Sequence, residues 1–206
     1  MEYSKIQYIS QGETIEEQEQ NIKNALDNGA DWIQVRWKNA KASDLLTLSE
    51  IAVQWCQKYQ AVCIINDSIA ISKQVGADGV HLGLEDDSIT NARIVLGADR
   101  IIGGTANTLD DVRQRILEGC DYIGLGPFRF TATKEKLSPI LGLEGYRKIF
   151  QALALENSSH PPIYAIGGIK LSDFKALTQV GLYGIALSKA VTSQPEILRN
   201  IKYQLK

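Results

Sequence analysis

Two apolar runs in this chain end in acids. VCII stops at Asn66 and Asp67 (IIND, 64–67), and GVHLG runs into LEDD at 84–87. Asn and Asp start turns and cap helices, which accounts for either ending alone. A third run, WIQVRW (32–37), adds charge of the opposite sign. If side chains alternate faces along it, Gln34, Arg36 and Lys38 share one side and Ile33, Val35 and Trp37 the other. The apolar set suits a packed layer, so the polar set faces inward. Two cations held there are costly unless carboxylates or an anionic ligand meet them. A structural ion pair and a bound anion both satisfy that condition. Carboxylates and an amide oxygen beside cations also form a donor set for Mg2+ and a polyphosphate, because hard oxygen ligands suit Mg2+ and phosphate oxygens complete its shell.

Further polar groups follow later runs. AIGGI (165–169) offers paired glycines whose backbone N–H groups could approach a phosphate, and GIALS (184–188) ends in the hydroxyl of Ser188. GGTANT places Thr105 and Asn107 together, with Thr108 as a helix cap. FRFTATKEKLSPIL (128–141) is the longest unpatterned stretch; it reads as a solvated loop or as a lid whose hydroxyls and ammonium suit anions. His81 lies inside a strand-like run and reads as a hydrogen-bonded interior residue, while His160 in SSHPPIY reads as a surface loop residue. No Cys/His cluster has zinc spacing and no Ser/His/Asp constellation stands out.

These residues need elements to position them. Short apolar runs, IQYIS (6–10), WIQVRW (32–37), VCIIND (62–67), GVHLG (79–83), RIIGGT (100–105), YIGLGP (122–127), IYAIGG (163–168) and YGIALS (183–188), alternate with amphipathic segments. In TIEEQEQNIKNALDNG, Ile15, Ile22, Ala25 and Leu26 share a helical face, opening at Thr14 and closing near Gly29. NGAD, VGAD and EGCD each end a helix and launch a strand. Strand alternating with helix implies parallel strands and βαβ crossovers. Eight such units predict a compact α/β fold, a (β/α)8 TIM barrel spanning 1–206 as one domain, with its site at the C-terminal strand ends. A doubly wound open sheet is the alternative, but ISQGET after the first run lacks GxGxxG spacing.

Composition narrows the partners. Twenty-two basic and 24 acidic residues give a net charge of −2, which offers no footprint for nucleic acid or an anionic membrane. No long apolar run predicts a membrane span, and MEYSKIQYIS has no signal-peptide core, so a cytoplasmic protein is expected. Cys56, Cys63 and Cys120, widely spaced among core-type residues, read as reduced, buried thiols.

The succession QVRWK, IIND, GADGVHLGLED, YIGLGPFRFTATK and AIGGI resembles the thiamine-phosphate synthase (thiamine-phosphate pyrophosphorylase) family, in order, from about residue 6 to residue 192. Members are (β/α)8 barrels that couple a hydroxymethylpyrimidine diphosphate to a thiazole phosphate and release diphosphate, with Mg2+ as cofactor. The resemblance implies that Gln34, Arg36, Lys38, Asn66, Thr105 and Lys134 bind the pyrimidine diphosphate, with Arg36, Lys38 and Lys134 catalytic. It implies Asp67 and Asp86 as the metal carboxylates, leaving Asp87 to cap the next helix. It also implies Thr131, Thr133, Gly168, Leu187 and Ser188 for the thiazole phosphate. Thr105 stands where a serine is usual, Trp37 replaces a common glutamate and Leu84 a common glutamine. A related thiazole tautomerase and a non-catalytic phosphate-ligand binding homologue are the alternatives, and assembly into a homo-oligomer stays open. Retention of the cations and acids, and Asn107 where a tautomerase histidine is expected, argue against the tautomerase.

Overall fold

The computed structural model describes residues 3–130 and 139–199. Strands β1 (Ile6–Ile9), β2 (Trp32–Val35), β3 (Val62–Asn66), β4 (Gly79–Leu82), β5 (Ile101–Ala106), β6 (Tyr122–Leu125), β7 (Ile163–Ala165) and β8 (Gly184–Leu187) pair in parallel, and β8 closes on β1. Between them run α1 (Ile15–Asp27), α2 (Ala42–Tyr59), α3 (Ile69–Val75), α4 (Ile89–Leu96), α5 (Leu109–Leu117), α6 (Gly142–Leu155) and α7 (Phe174–Gln179), and α8 (Lys189–Ser193) follows β8. This is the expected (β/α)8 barrel. Each predicted run contains its strand except RIIGGT, which β5 outruns by one residue to Ala106, and most strands stop before their polar ends. Arg36 and Lys38 therefore lie in the β2–α2 loop, beyond the ladder that alternation assumed.

Local signals act as expected at several boundaries. The Thr14 hydroxyl accepts the Glu17 N–H at 3.2 Å to open α1. Gly76, at φ 66°, closes α3 in the left-handed conformation that glycine adopts without a Cβ clash. The acids of VGAD and EGCD do more than turn the chain. Asp78 Oδ2 accepts the Cys63 N–H and Asp121 Oδ2 the Ile102 N–H, both at 2.7 Å, tying each strand start to its neighbour. Ser88, not Asp87, caps α4 by accepting the Asn91 N–H at 3.0 Å; Asp87 supports it by accepting the Ser88 N–H at 2.8 Å.

Outward side chains such as Ile33, Val35, Ile65, Val80, Leu82, Ile102, Ile123 and Leu125 pack against the helices. Inward ones fill the N-terminal end with Trp32, Ile64, Ile101, Tyr122 and Tyr164. The Trp32 ring meets Tyr122 and Tyr164 edge-on, at 5.0 and 5.4 Å between centroids, an arrangement favoured by the aromatic quadrupoles. So narrow a barrel needs inward glycines: a Cβ at Gly103 would lie 2.2 Å from the Tyr122 ring. The three thiols are free and buried, and burial pushes Cys120 up to about 12, which leaves it inert.

Candidate active site

The C-terminal ends of β2, β3 and β4 form a charged rim. Asp67, one residue past β3, has φ 66°, a left-handed conformation uncommon outside glycine, asparagine and aspartate. Its N–H donates to the His81 carbonyl at 2.8 Å, which pins it to β4. From the next loop Asp86 approaches, its Oδ2 accepting the Gly83 N–H at 2.6 Å. The two carboxyls lie close together. The Asp67 side chain opens to solvent at the barrel mouth, yet the surrounding rim shields it from bulk water. That desolvation, with the Asp86 hydrogen bond and charge, pushes Asp67 up to about 7, against the pull of Lys38 and Arg36. Arg36 feels the same shielding: burial lowers its pKa and Asp67 counters the shift. The Arg36 backbone is held at both ends, its N–H by Ser10 Oγ at 3.0 Å and its carbonyl by Gln18 Nε2 at 3.3 Å. Lys38 is exposed, and Asn66 ends β3 half-buried on the inward face that Ile64 also uses.

Below the rim a polar chain crosses the interior. Gln34 Nε2 donates to Gln7 Oε1 at 3.2 Å, and Gln7 Nε2 donates to the Tyr122 hydroxyl at 3.2 Å. The hydroxyl pairs with His81 Nδ1, and His81 Nε2 pairs with Thr105 Oγ1, both at 3.0 Å. His81 is thus a hydrogen-bonded barrel residue, as its sequence context suggested. Gln34 and Thr105 are the lower and upper ends of one connected network.

The β6–β8 side is built differently. Gly167 (φ 85°) and Gly168 (φ 70°) lie against the loop after β6, where a Cβ would come within 2.8 Å of Pro127 and Arg129 respectively. Arg129 donates its N–H to the Gly167 carbonyl and Nη1 to the Gly168 carbonyl, both at 3.0 Å, and Nη2 to Asp173 at 2.7 Å. The Leu187 side chain is buried in the outer core, so only its backbone can face the rim. The Ser188 hydroxyl donates to the Ile9 carbonyl at 2.8 Å and is committed to the end of β1.

The sequence profile of the thiamine monophosphate synthase family matches residues 6–191. This chain belongs to that family. A thiamine-phosphate synthase of Flavobacterium johnsoniae is 55% identical over 194 residues, covering 94% of this chain and 91% of the relative. One from Flavobacterium psychrophilum is 55% identical over 190 residues, covering 92% of each. The solved thiamine phosphate pyrophosphorylase of Pyrococcus furiosus superposes with a TM-score of 0.81 at 29% identity, covering 98% of this chain and 96% of that one. The activity class is accordingly thiamine-phosphate synthesis, a transferase reaction of thiamine biosynthesis.

Within this family barrel, Arg36, Lys38, Asn66, Asp67 and Asp86 lie on adjacent strand ends, joined from below by Gln34 and Thr105. Gly168, in the loop after β7, Leu187 at the end of β8 and Ser188 just past it lie on the other side of the rim. Thr131, Thr133 and Lys134 lie outside the described residues. Among the described residues no group of three or more His, Cys, Asp or Glu could hold a metal, so the protein's own donors there are a carboxylate pair. No helix among them is long and apolar enough to cross a membrane.

Several supporting residues escaped sequence reasoning. Ser10, Gln18 and Arg115 are each buried and polar. Gln18 and Arg115 had a visible signal, since each interrupts the apolar stripe of its helix, beside Ile22 and Val112. Arg129 had none: its partner Asp173 is 44 residues away.

Proposed function

We propose that the rim couples 4-amino-2-methyl-5-hydroxymethylpyrimidine diphosphate to hydroxyethylthiazole phosphate, giving thiamine phosphate and diphosphate in a Mg2+-dependent reaction. The Asp67–Asp86 carboxyl pair beside Arg36 carries this reading. Two neighbouring carboxyls, with Asp67 reluctant to ionise, are a donor set that a divalent cation suits, because the dication cancels the repulsion between them. Asp67 and Asp86 would hold the ion. Bound Mg2+ would neutralise charge on the diphosphate oxygens.

Arg36 and Lys38 bind the diphosphate and stabilise the negative charge that grows as the benzylic-type C–O bond breaks. The partly desolvated setting of Arg36 strengthens that interaction. Asn66, with Gln34 and Thr105 beneath it, holds the aminopyrimidine, whose electron-rich ring carries the developing positive charge. The thiazole nitrogen then attacks the carbocation and forms the new C–N bond. The glycine turn at Gly168 and the backbone at Leu187–Ser188 bind the thiazole phosphate through N–H groups. The reaction needs little acid–base work, in keeping with a His81 engaged on both ring nitrogens. Asn107, buried and donating to the Gly126 carbonyl, is a strap between β5 and β6, which weighs against a tautomerase role for that position. The same reading takes the chain as one catalytic domain acting in the cytoplasm, supported by three free, buried thiols.

A coupled assay with both substrates tests this. Thiamine phosphate is expected with Mg2+ and is expected to vanish on chelation. Substrate binding without product, or product formation indifferent to chelator, would overturn it.

A further inference from the structure

Arg115 sits on α5 behind the barrel wall, 5% exposed, yet every donor group of its guanidinium is directed at the rim or at a neutralising acid. Nε donates to the Thr105 carbonyl at 3.0 Å, Nη2 to the Gly83 carbonyl at 2.8 Å and Nη1 to Glu118 at 2.7 Å. The β4–β5 pairing ends at Leu82 opposite Gly104. Gly83 is the first residue beyond that ladder, and the guanidinium bridges it to β5 in place of strand hydrogen bonds. The N–H of the same Gly83 donates to Asp86 Oδ2 at 2.6 Å. One residue therefore couples Arg115, through its carbonyl, to the Asp86 carboxylate, through its amide.

Glycines leave room for this arrangement. A Cβ at Gly104 would fall 2.8 Å from Arg115 Cδ and 2.9 Å from Nε; one at Gly83 would fall 2.7 Å from Asp86 Oδ2. The planar, rigid fork of arginine can span both carbonyls and the acid at once, which a single ammonium cannot.

We propose that Arg115 is a positioning residue for the diphosphate side of the rim: it clamps the ends of β4 and β5 and so sets where Asp86 and Thr105 stand. The proposal rests on the reading of Asp67 and Asp86 as the metal pair, and it adds a control on that pair from outside the barrel.

The test compares the whole chain with Arg115→Met, Arg115→Lys and Asp86→Asn. Binding of Mn2+ in the presence of inorganic diphosphate is read from the free-ion electron paramagnetic resonance signal. Affinity for hydroxyethylthiazole phosphate is read by calorimetry, and folding by circular dichroism. Arg115→Met is expected to weaken Mn2+ binding about 10- to 100-fold, the usual cost of losing a group that orients a ligand, with thiazole phosphate affinity unchanged. Arg115→Lys, which keeps the charge but loses the fork, is expected to fall between wild type and Arg115→Met, and it decides the matter if the methionine variant does not fold. Wild-type Mn2+ affinity in a folded Arg115 variant, or equal losses for both ligands, overturns the clamp. If Asp86→Asn weakens Mn2+ binding while the Arg115 variants do not, only the clamp falls. If Asp86→Asn leaves Mn2+ binding intact, the metal reading falls and takes the clamp with it.

Discussion

The N-terminal end of the barrel holds Trp32, Ile64, Ile101, Tyr122 and Tyr164 in mutual contact, with Gly103 making room for a ring. At the C-terminal end β2, β3 and β4 lead to Arg36, Asn66, Asp67 and Asp86, where desolvation and like charge act on Asp67. What changes between the two heights is the chemistry that surrounds each group, apolar rings below and charged loop residues above. Below, apolar area and ring geometry hold the side chains together, although the buried Trp32 Nε1 has no hydrogen-bond partner among the described residues. Above, burial and the neighbouring Asp86 press on the Asp67 carboxylate, and a cationic ligand would relieve that pressure. Stability is concentrated in the floor and reactivity in the rim, and the Gln34–Gln7–Tyr122–His81–Thr105 chain joins them.

Substitutions can break that division. Trp32→Ala removes the ring at the centre of the floor and is expected to cost about 3–5 kcal/mol of unfolding free energy. Denaturant titration reads the loss, while the folded fraction should keep its substrate KM values; a changed KM would show that the floor shapes the site. Asp67→Ala should do the reverse. Turnover is expected to fall about 10²- to 10³-fold, roughly 3–4 kcal/mol in the barrier, with the melting temperature little changed, because the loss of a carboxyl repulsion offsets the poorer fit of alanine to the left-handed backbone at φ 66°. Undiminished turnover would remove Asp67 from the metal pair.

Thr105→Val probes the join. It deprives His81 Nε2 of its hydroxyl partner and should cost about 1 kcal/mol of stability together with a higher KM for the pyrimidine diphosphate. An effect on only one of the two would mean that floor and rim are energetically separate. The smallest effect belongs to the far side of the rim. Arg129 holds the Asp173 pKa below the ordinary carboxylate range. A depressed folded pKa contributes stability above the unfolded value, about 3.9, that is lost as pH falls through the folded one. Asp173→Asn should therefore be less stable than wild type by under about 1 kcal/mol at neutral pH, and the gap should close in acid melts.

Much of this was legible in the residues. The eight apolar runs, the Thr14 and Thr108 caps and the glycine helix ends follow local rules, and each stands where those rules put it. IIND and LEDD were readable as acids at strand ends. Their contact was not, because Asp67 and Asp86 meet only after β3 and β4 pair. Alternation put Gln34 and Arg36 on one side; β2 stops at Val35, yet Arg36 in the following loop still stands beside Asp67 at the rim. The glycines of AIGGI looked like a phosphate turn; the structure adds a second reason for them, the close approach of Pro127 and Arg129.

Sequence by itself determined the order of strands and helices, the closed parallel barrel and the identity of the polar groups at the strand ends, because these depend on periodicity and on neighbours along the chain. Tertiary structure alone decided the approach of Asp86 to Asp67, the commitment of Ser188 to Ile9 and the reach of Arg115 to Gly83. Each of those joins residues of different βα units. The burial that sets its strength exists only once the barrel has closed.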